Sequence, residues 1–250
     1  MKVIGLELYK WRHKRLFLMV LLFLLAEIGW AFAVTRISIT RNPDQAGWEP
    51  LVATISAMNG FFLPILTAIC VSRICDMEHK GNTWKLLYTL SVKRSTLYMA
   101  KSVSASIVMG VALSLQALAI VAFGIVHHFA PVPIWLLTRF ILGTAVTTLV
   151  LIALQQWVSM AIKNQTFALT LGMVGSFVGL VADLLPSGVS KFFVWSYYTA
   201  LSPITSVYAD DKLHFVIRDS SLLWPQMAAL LAVGMALYGV GSVHVARREG

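Results

Sequence analysis

Charge is the scarcest commodity in this chain. Only 12% of its 250 residues are charged, and Asp and Glu together number 11 against 20 Lys and Arg. Soluble domains carry about a quarter charged residues. With 58% hydrophobic residues and a mean hydropathy of +0.77, the composition excludes an ordinary soluble domain and indicates an integral membrane protein. Cysteine is nearly absent: Cys70 and Cys75 cannot form a disulfide framework, and both read as small apolar residues. Catalytic signatures are missing too. Without G-x-x-x-x-G-K-[ST] the chain has no phosphate cradle for ATP, and without H-E-x-x-H or G-x-S-x-G it has no zinc-protease or hydrolase motif. His127-His128 lacks a third ligand nearby, so no metal is expected, and no enzyme activity either. The net charge of +9 would suggest nucleic acid in a soluble protein, whereas in a membrane protein it records topology, and no nucleic-acid partner is expected.

Long apolar runs are what the chain has in plenty. A hydrocarbon core of about 30 Å needs about 20 helical residues. Six runs qualify: Leu16 to Val34, Leu51 to Val71, Val103 to Val126, Ile134 to Ile162, Phe167 to Leu185 and Leu222 to Val245. They fill residues 1–250 as a single transmembrane domain of the all-α class, with no soluble domain beside it. The basic "RHKR" before the first run resembles a signal peptide, but Glu27 interrupts the apolar stretch and the leader is long, so an uncleaved signal-anchor is expected. Fourteen basic residues fall on one side, in the N-terminal segment, the loop between the second and third runs, Lys163, and Arg247-Arg248; five fall on the other, Arg36, Arg41, Lys191, Lys212 and Arg218. The positive-inside rule then places both termini in the cytoplasm.

By the same rule, the most charge-dense passage, "SRICDMEHKGNTWKLLYTLSVKRSTLYMAKS" at 72–102, is a cytoplasmic loop. Gly81-Asn82 is a turn pair, and Thr83 is placed to cap a short helix bearing Trp84, Leu87 and Leu90. Taken alone, such a segment is equally well a solvated positive-inside loop. An acid followed by Gly-Asn-Thr-Trp-Lys-Leu-Leu and then "SVKRSTLYMAKS", however, resembles the permeases of ABC-2 type transporters. The wording "DMEHKGNTWKLLYTLSVKR" and the later "VWSYYTALSPI" are most similar to the lantibiotic (bacteriocin) self-immunity permeases of that family.

The resemblance implies six transmembrane helices, an N-terminal interfacial elbow helix at 1–15, a cytoplasmic coupling helix within 72–102, and short external helices in 186–221 between spans five and six. It implies that Asp76, Glu78, Gly81, Thr83, Trp84 and Lys85 dock an ATPase, with ATP and Mg held by two such subunits and no cofactor bound by this chain. It further implies a second permease copy or a similar permease as partner, a bacterial cytoplasmic membrane location, and export of a lantibiotic-like antimicrobial peptide. Efflux of drugs or other small amphiphiles is the alternative. A secondary transporter or a passive peptide-binding immunity protein is less well matched, because an ion-coupled carrier should show several intramembrane ionisable residues.

Residue patterns add detail. Ile4, Leu8 and Trp11 share one helical face, as an interfacial helix requires, with Lys10 and Lys14 elsewhere. Phe192, Phe193, Trp195, Tyr197 and Tyr198 suit the outer headgroup level. Ser102, Ser106, Gly110 and Ser114 recur every fourth residue, and Gly175 and Gly179 form a G-x-x-x-G, both patterns that let helices approach closely; packing within one subunit is expected. Glu27 is the lone acid deep in a run, where a charge costs about 2.5–3.5 kcal/mol on insertion scales. It either meets a cationic peptide, sits in a permease interface, or bonds helices together. Asn59 and Pro64 either line a substrate path or serve packing, and Gln155 and Gln156 are expected to bond neighbouring helices.

Overall fold

The computed structural model describes residues 5, 7, 9, 11, 15–43, 46–80, 94–162, 164–209 and 212–247. Four long helices come first: α1 (Leu16–Arg41), α2 (Trp48–Lys80), α3 (Arg94–Val126) and α4 (Ile134–Ala161). A shorter α5 (Gln165–Leu180) leads through single turns, α6 (Ser187–Ser190) and α7 (Tyr197–Ala200), to a hairpin of β1 (Ile204–Ala209) and β2 (Lys212–Ile217), and α8 (Ser220–Arg247) closes the chain. Five of these helices, α1, α2, α3, α4 and α8, are long and apolar enough to cross a bilayer. The protein is a multi-pass membrane protein.

Six full spans are expected from the sequence, and the difference lies in α5. Asn164 accepts the Thr166 N–H at 3.0 Å and starts the helix, which ends at Leu180 rather than Leu185, followed by a 3-10 turn at Ala182–Leu184. Its 16 residues reach about 24 Å at 1.5 Å per residue, short of a 30 Å core. The second correction concerns residues 72–102. Ser72 to Lys80 continue α2 and Arg94 to Ser102 begin α3, so the connection between the two helices is confined to 81–93, outside the described residues. At 33 residues each, α2 and α3 run about 50 Å, well beyond the hydrocarbon.

The third difference is the hairpin. Short helices are present in 186–221, but β1 and β2 pair antiparallel from Ile204↔Ile217 to Ala209↔Lys212, so the described residues are helical with one small sheet. The β-rich run "ITSVYA", two acids, then "KLHFVI" is a strand signal that the aromatic reading passed over. Buried Ile204 anchors the hairpin in a cluster with Trp48, Leu51, Ile120 and Phe140.

Helices α2 and α4 form the centre, with most of their spans buried, whereas α1 and α8 are largely exposed. On α1 the buried stripe is Leu16, Val20, Leu24, Glu27, Ile28, Ala31 and Thr35, spaced by three or four residues. Leu18, Leu21, Leu22 and Leu25 face outward, which lipid tails tolerate and water does not. The most extensive helix contact joins α2 to α5, and glycines explain it. A Cβ on Gly60 would lie 2.7 Å from the Gly179 carbonyl, and one on Gly179 would strike Gly60. Pro64 contributes, because its ring nitrogen lacks the N–H that would bond the Gly60 carbonyl one turn earlier. Gly172 and Gly175 likewise leave room for Ala68 and Trp195, so the G-x-x-x-G packs within the chain. By contrast, Gly110 and Ser114 face away from the chain's own core.

The hairpin end is locked by Trp48. Its Nε1 donates to the Ala130 carbonyl at 2.8 Å, its ring meets Phe129 edge-on at 5.6 Å, and it occupies the space above Gly124.

Candidate functional site

Two places collect the expected functional residues: the end of the bundle flanking 81–93, and the buried middle. At the first, α2 brings Asp76, half-buried, to the edge of the connection. Glu78 lies in the last turn of α2 with its side chain outside the described residues, and Gly81, Thr83, Trp84 and Lys85 lie outside them altogether. The surrounding scaffold is well defined. Lys101, counted from sequence as a loop charge, is 1% exposed, and its Nζ donates to Glu7 Oε2 at 3.2 Å and to the Ile74 carbonyl at 3.1 Å. One ammonium thereby ties together the N-terminal segment, α2 and α3.

Glu7 and Trp11, four residues apart and both buried, form the inner face of the N-terminal segment, while Gly5 and Tyr9 are exposed. The expected face of Ile4, Leu8 and Trp11 thus includes an acid that sequence reasoning missed; Ile4 and Leu8 themselves lie outside the described residues. The buried cation opposite pairs with that carboxylate, and no local pattern announces a partner 94 residues away. Arg15 separates this segment from α1. Its backbone is left-handed (φ 54°), a conformation that interrupts a right-handed helix. Removing either member of such a buried pair strands the other charge and costs about 3–5 kcal/mol.

In the middle, Glu27 of α1 and Asn59 of α2 are both fully buried and meet through Gln116 of α3. Gln116 Nε2 donates to Asn59 Oδ1 at 2.7 Å and to Glu27 Oε1 at 3.1 Å, and Asn59 Nδ2 donates back to Gln116 Oε1 at 3.4 Å. Glu27 Oε2 has no hydrogen-bond partner among the described residues. The three side chains tie α1, α2 and α3 together near mid-span. Of the three substrate-path candidates, the structure joins Glu27 and Asn59 and leaves Pro64 apart, buried toward α5 beside Gly172. Gln116 was missed from sequence; it lies off the Ser102, Ser106, Gly110, Ser114 stripe, in an apolar run that gives no sign of its partners.

The α4 glutamines bond neighbouring helices. Gln156 Nε2 donates to the Tyr98 carbonyl at 2.7 Å, and Gln155, with its amide oriented to satisfy both groups, donates to the Ala168 carbonyl at 3.1 Å and accepts from the Gly172 N–H at 3.3 Å. Arg139, near the start of α4, lies 5.0 Å over the Trp135 ring, an aromatic seat for a cation close to the membrane edge. His127 stacks on Phe123 at 4.0 Å, and Cys70 and Cys75 are buried and not joined in a disulfide.

No similar sequence was found among curated proteins. The family described as ABC-2 family transporter protein matches residues 3–179, which take in the N-terminal segment, both ends of the 81–93 connection, the Glu27 cluster and all of α4. The chain belongs to the ABC-2 transporter family, as a membrane permease that is a transport subunit rather than an enzyme.

Proposed function

We propose that this permease is the membrane part of an ATP-driven exporter that expels a lantibiotic-like cationic peptide from the producer's own membrane. Family membership supplies transport and, as is general for the family, work alongside ABC ATPases. One observation supports where that work enters: α2 and α3 extend as about 50 Å rods past the hydrocarbon to either side of 81–93, and Lys101 welds both to the N-terminal segment. Force applied at 81–93 is therefore delivered to three elements at once. In this reading Asp76, Glu78, Gly81, Thr83, Trp84 and Lys85 dock the ATPase, two of which serve a pair of permeases, and α5 completes a six-span arrangement despite its length.

The peptide assignment draws on the 76–94 and 194–204 wording. Glu27, the acid buried at mid-span, is the candidate contact for a cationic substrate once the helices part. Cells expressing the permease together with its partner ATPase should tolerate a cationic lantibiotic and remain sensitive to unrelated amphiphilic drugs. Tolerance to both classes would transfer the assignment to general efflux, and tolerance to neither would overturn it.

A further inference from the structure

At the hairpin end, between the α5–α6 connection and the start of α8, lies a cleft of about 420 Å³. Three features set it apart from the rest of the surface. Its rim is cationic. Lys191 is exposed and its ammonium has no partner among the described residues, while Arg218 is half-buried and fixed by donating one guanidinium N–H to the Ala200 carbonyl. Arg218 is also held through its backbone, whose N–H donates to the Pro203 carbonyl at 2.8 Å, and its guanidinium, with donors beyond the one given to Ala200, lies within electrostatic reach of Asp183.

Acceptors for hydroxyl groups line the same cleft. The Gln226 carbonyl oxygen is buried there with no donor among the described residues, and the exposed Asp183 carboxylate lines the cleft within electrostatic reach of Arg218. A buried acceptor without a donor is costly unless a ligand supplies one.

The flank of the cleft is apolar and fully presented. Leu184 is 85% and Phe192 87% exposed, on the two turns that contribute Asp183 and Lys191 to the lining. Large side chains so exposed beside a membrane span are at home in acyl chains.

A cation pair that takes a phosphate, acceptors that take hydroxyls and a greasy lip that takes tails together define one ligand chemistry. We propose that this cleft binds the hydroxyl-bearing phosphodiester headgroup of an anionic lipid in the leaflet at the hairpin end. The phosphate sits between Arg218 and Lys191, a headgroup hydroxyl donates to Gln226, and the acyl chains run down past Leu184 and Phe192. A soluble phosphate ester shares the headgroup chemistry but has no use for the lip. The site lies outside the Glu27 cluster and the 81–93 end, so it stands whatever the exported substrate.

The test is native mass spectrometry of the delipidated full chain in detergent, titrated separately with phosphatidylglycerol, phosphatidylcholine and glycerol 3-phosphate. Phosphatidylglycerol should be retained in preference to phosphatidylcholine, and glycerol 3-phosphate should not compete at equal concentration. Lys191→Gln, whose side chain holds no structural bond, should weaken phosphatidylglycerol binding roughly fivefold. Arg218→Gln should weaken it roughly tenfold or more. Arg41→Gln removes a charge at the same end but outside the cleft and should change binding by less than about twofold. An equal loss in Lys191→Gln and Arg41→Gln would reduce the effect to general surface charge and overturn the site. Equal retention of phosphatidylcholine, or effective competition by glycerol 3-phosphate, would overturn the lipid assignment.

Discussion

Glu27 illustrates how a single residue can look functional from sequence and structural in its surroundings. Gln116 binds one carboxyl oxygen and the other has no partner among the described residues, so the side chain is half-satisfied there. Glu27→Gln keeps an acceptor for Gln116 and should fold and assemble at normal levels, yet weaken protection against a cationic peptide, since a neutral amide attracts a cation less. Undiminished resistance at normal expression would leave Glu27 as a helix tie only. Glycine offers a cleaner contrast. Gly179→Leu must push α5 off Gly60 and should cost on the order of 3 kcal/mol, read as a large fall in Tm of the purified protein. Gly110→Leu enters open space and should leave Tm nearly unchanged. Both glycines belong to small-residue stripes that look alike in sequence. Which one packs internally depends on Pro64 and the path of α5, information carried by another helix.

Among the elements, α8 shows how local chemistry sets a boundary. Asp219 caps it, accepting the Ser221 N–H and the Ser221 hydroxyl, each at 2.9 Å. Those bonds hold the Asp219 carboxyl below the usual carboxylate range. Its contribution is therefore fully present above the unfolded value of about 3.9 and is lost as pH falls through the lower folded value. Hydrogen-exchange protection in the first turn of α8, taken relative to the intrinsic rate at each pH, should fall over that acid window in the wild type and show little pH response in Asp219→Asn; the same response in both would remove the cap from the account. The Asp-Ser-Ser cap was available to sequence reading, as were five of the six long apolar runs, because caps and spans are written locally. The hairpin was written there too, in its β-rich runs, and was passed over, but the shortness of α5 was not legible, since an apolar run from Phe167 to Leu185 does not show that Val181 leaves the helix.

For the whole molecule, the distribution of basic residues supplies an orientation that helices alone do not. Fourteen against five should place both termini and residue 81 in the cytoplasm and the hairpin end outside. Cys70 and Cys75 are buried, so they should resist a membrane-impermeant thiol reagent. In intact cells that reagent should label Gly188→Cys and spare Gly81→Cys; the reverse pattern would invert the topology. The family and its transport role were legible in the 76–94 wording. What binds the two rods there was not: the Glu7–Lys101–Ile74 junction joins residues 94 and 27 positions apart, and Glu7 and Lys101 read in sequence as ordinary flanking charges.

The central claim is that the ATPase's work enters at 81–93, between the extended ends of α2 and α3. Its most direct measurement is co-purification of the partner ATPase with Trp84→Ala and Glu78→Lys permease from membranes, alongside the Tm of each permease alone. A large aromatic anchor lost from an interface costs about 2 kcal/mol or more, roughly thirtyfold in affinity, and reversing Glu78 adds repulsion. Both variants should keep the wild-type Tm, lose most of the bound ATPase and lose transport. Retention of the ATPase and of transport by both would contradict the account and leave 81–93 a solvated connection.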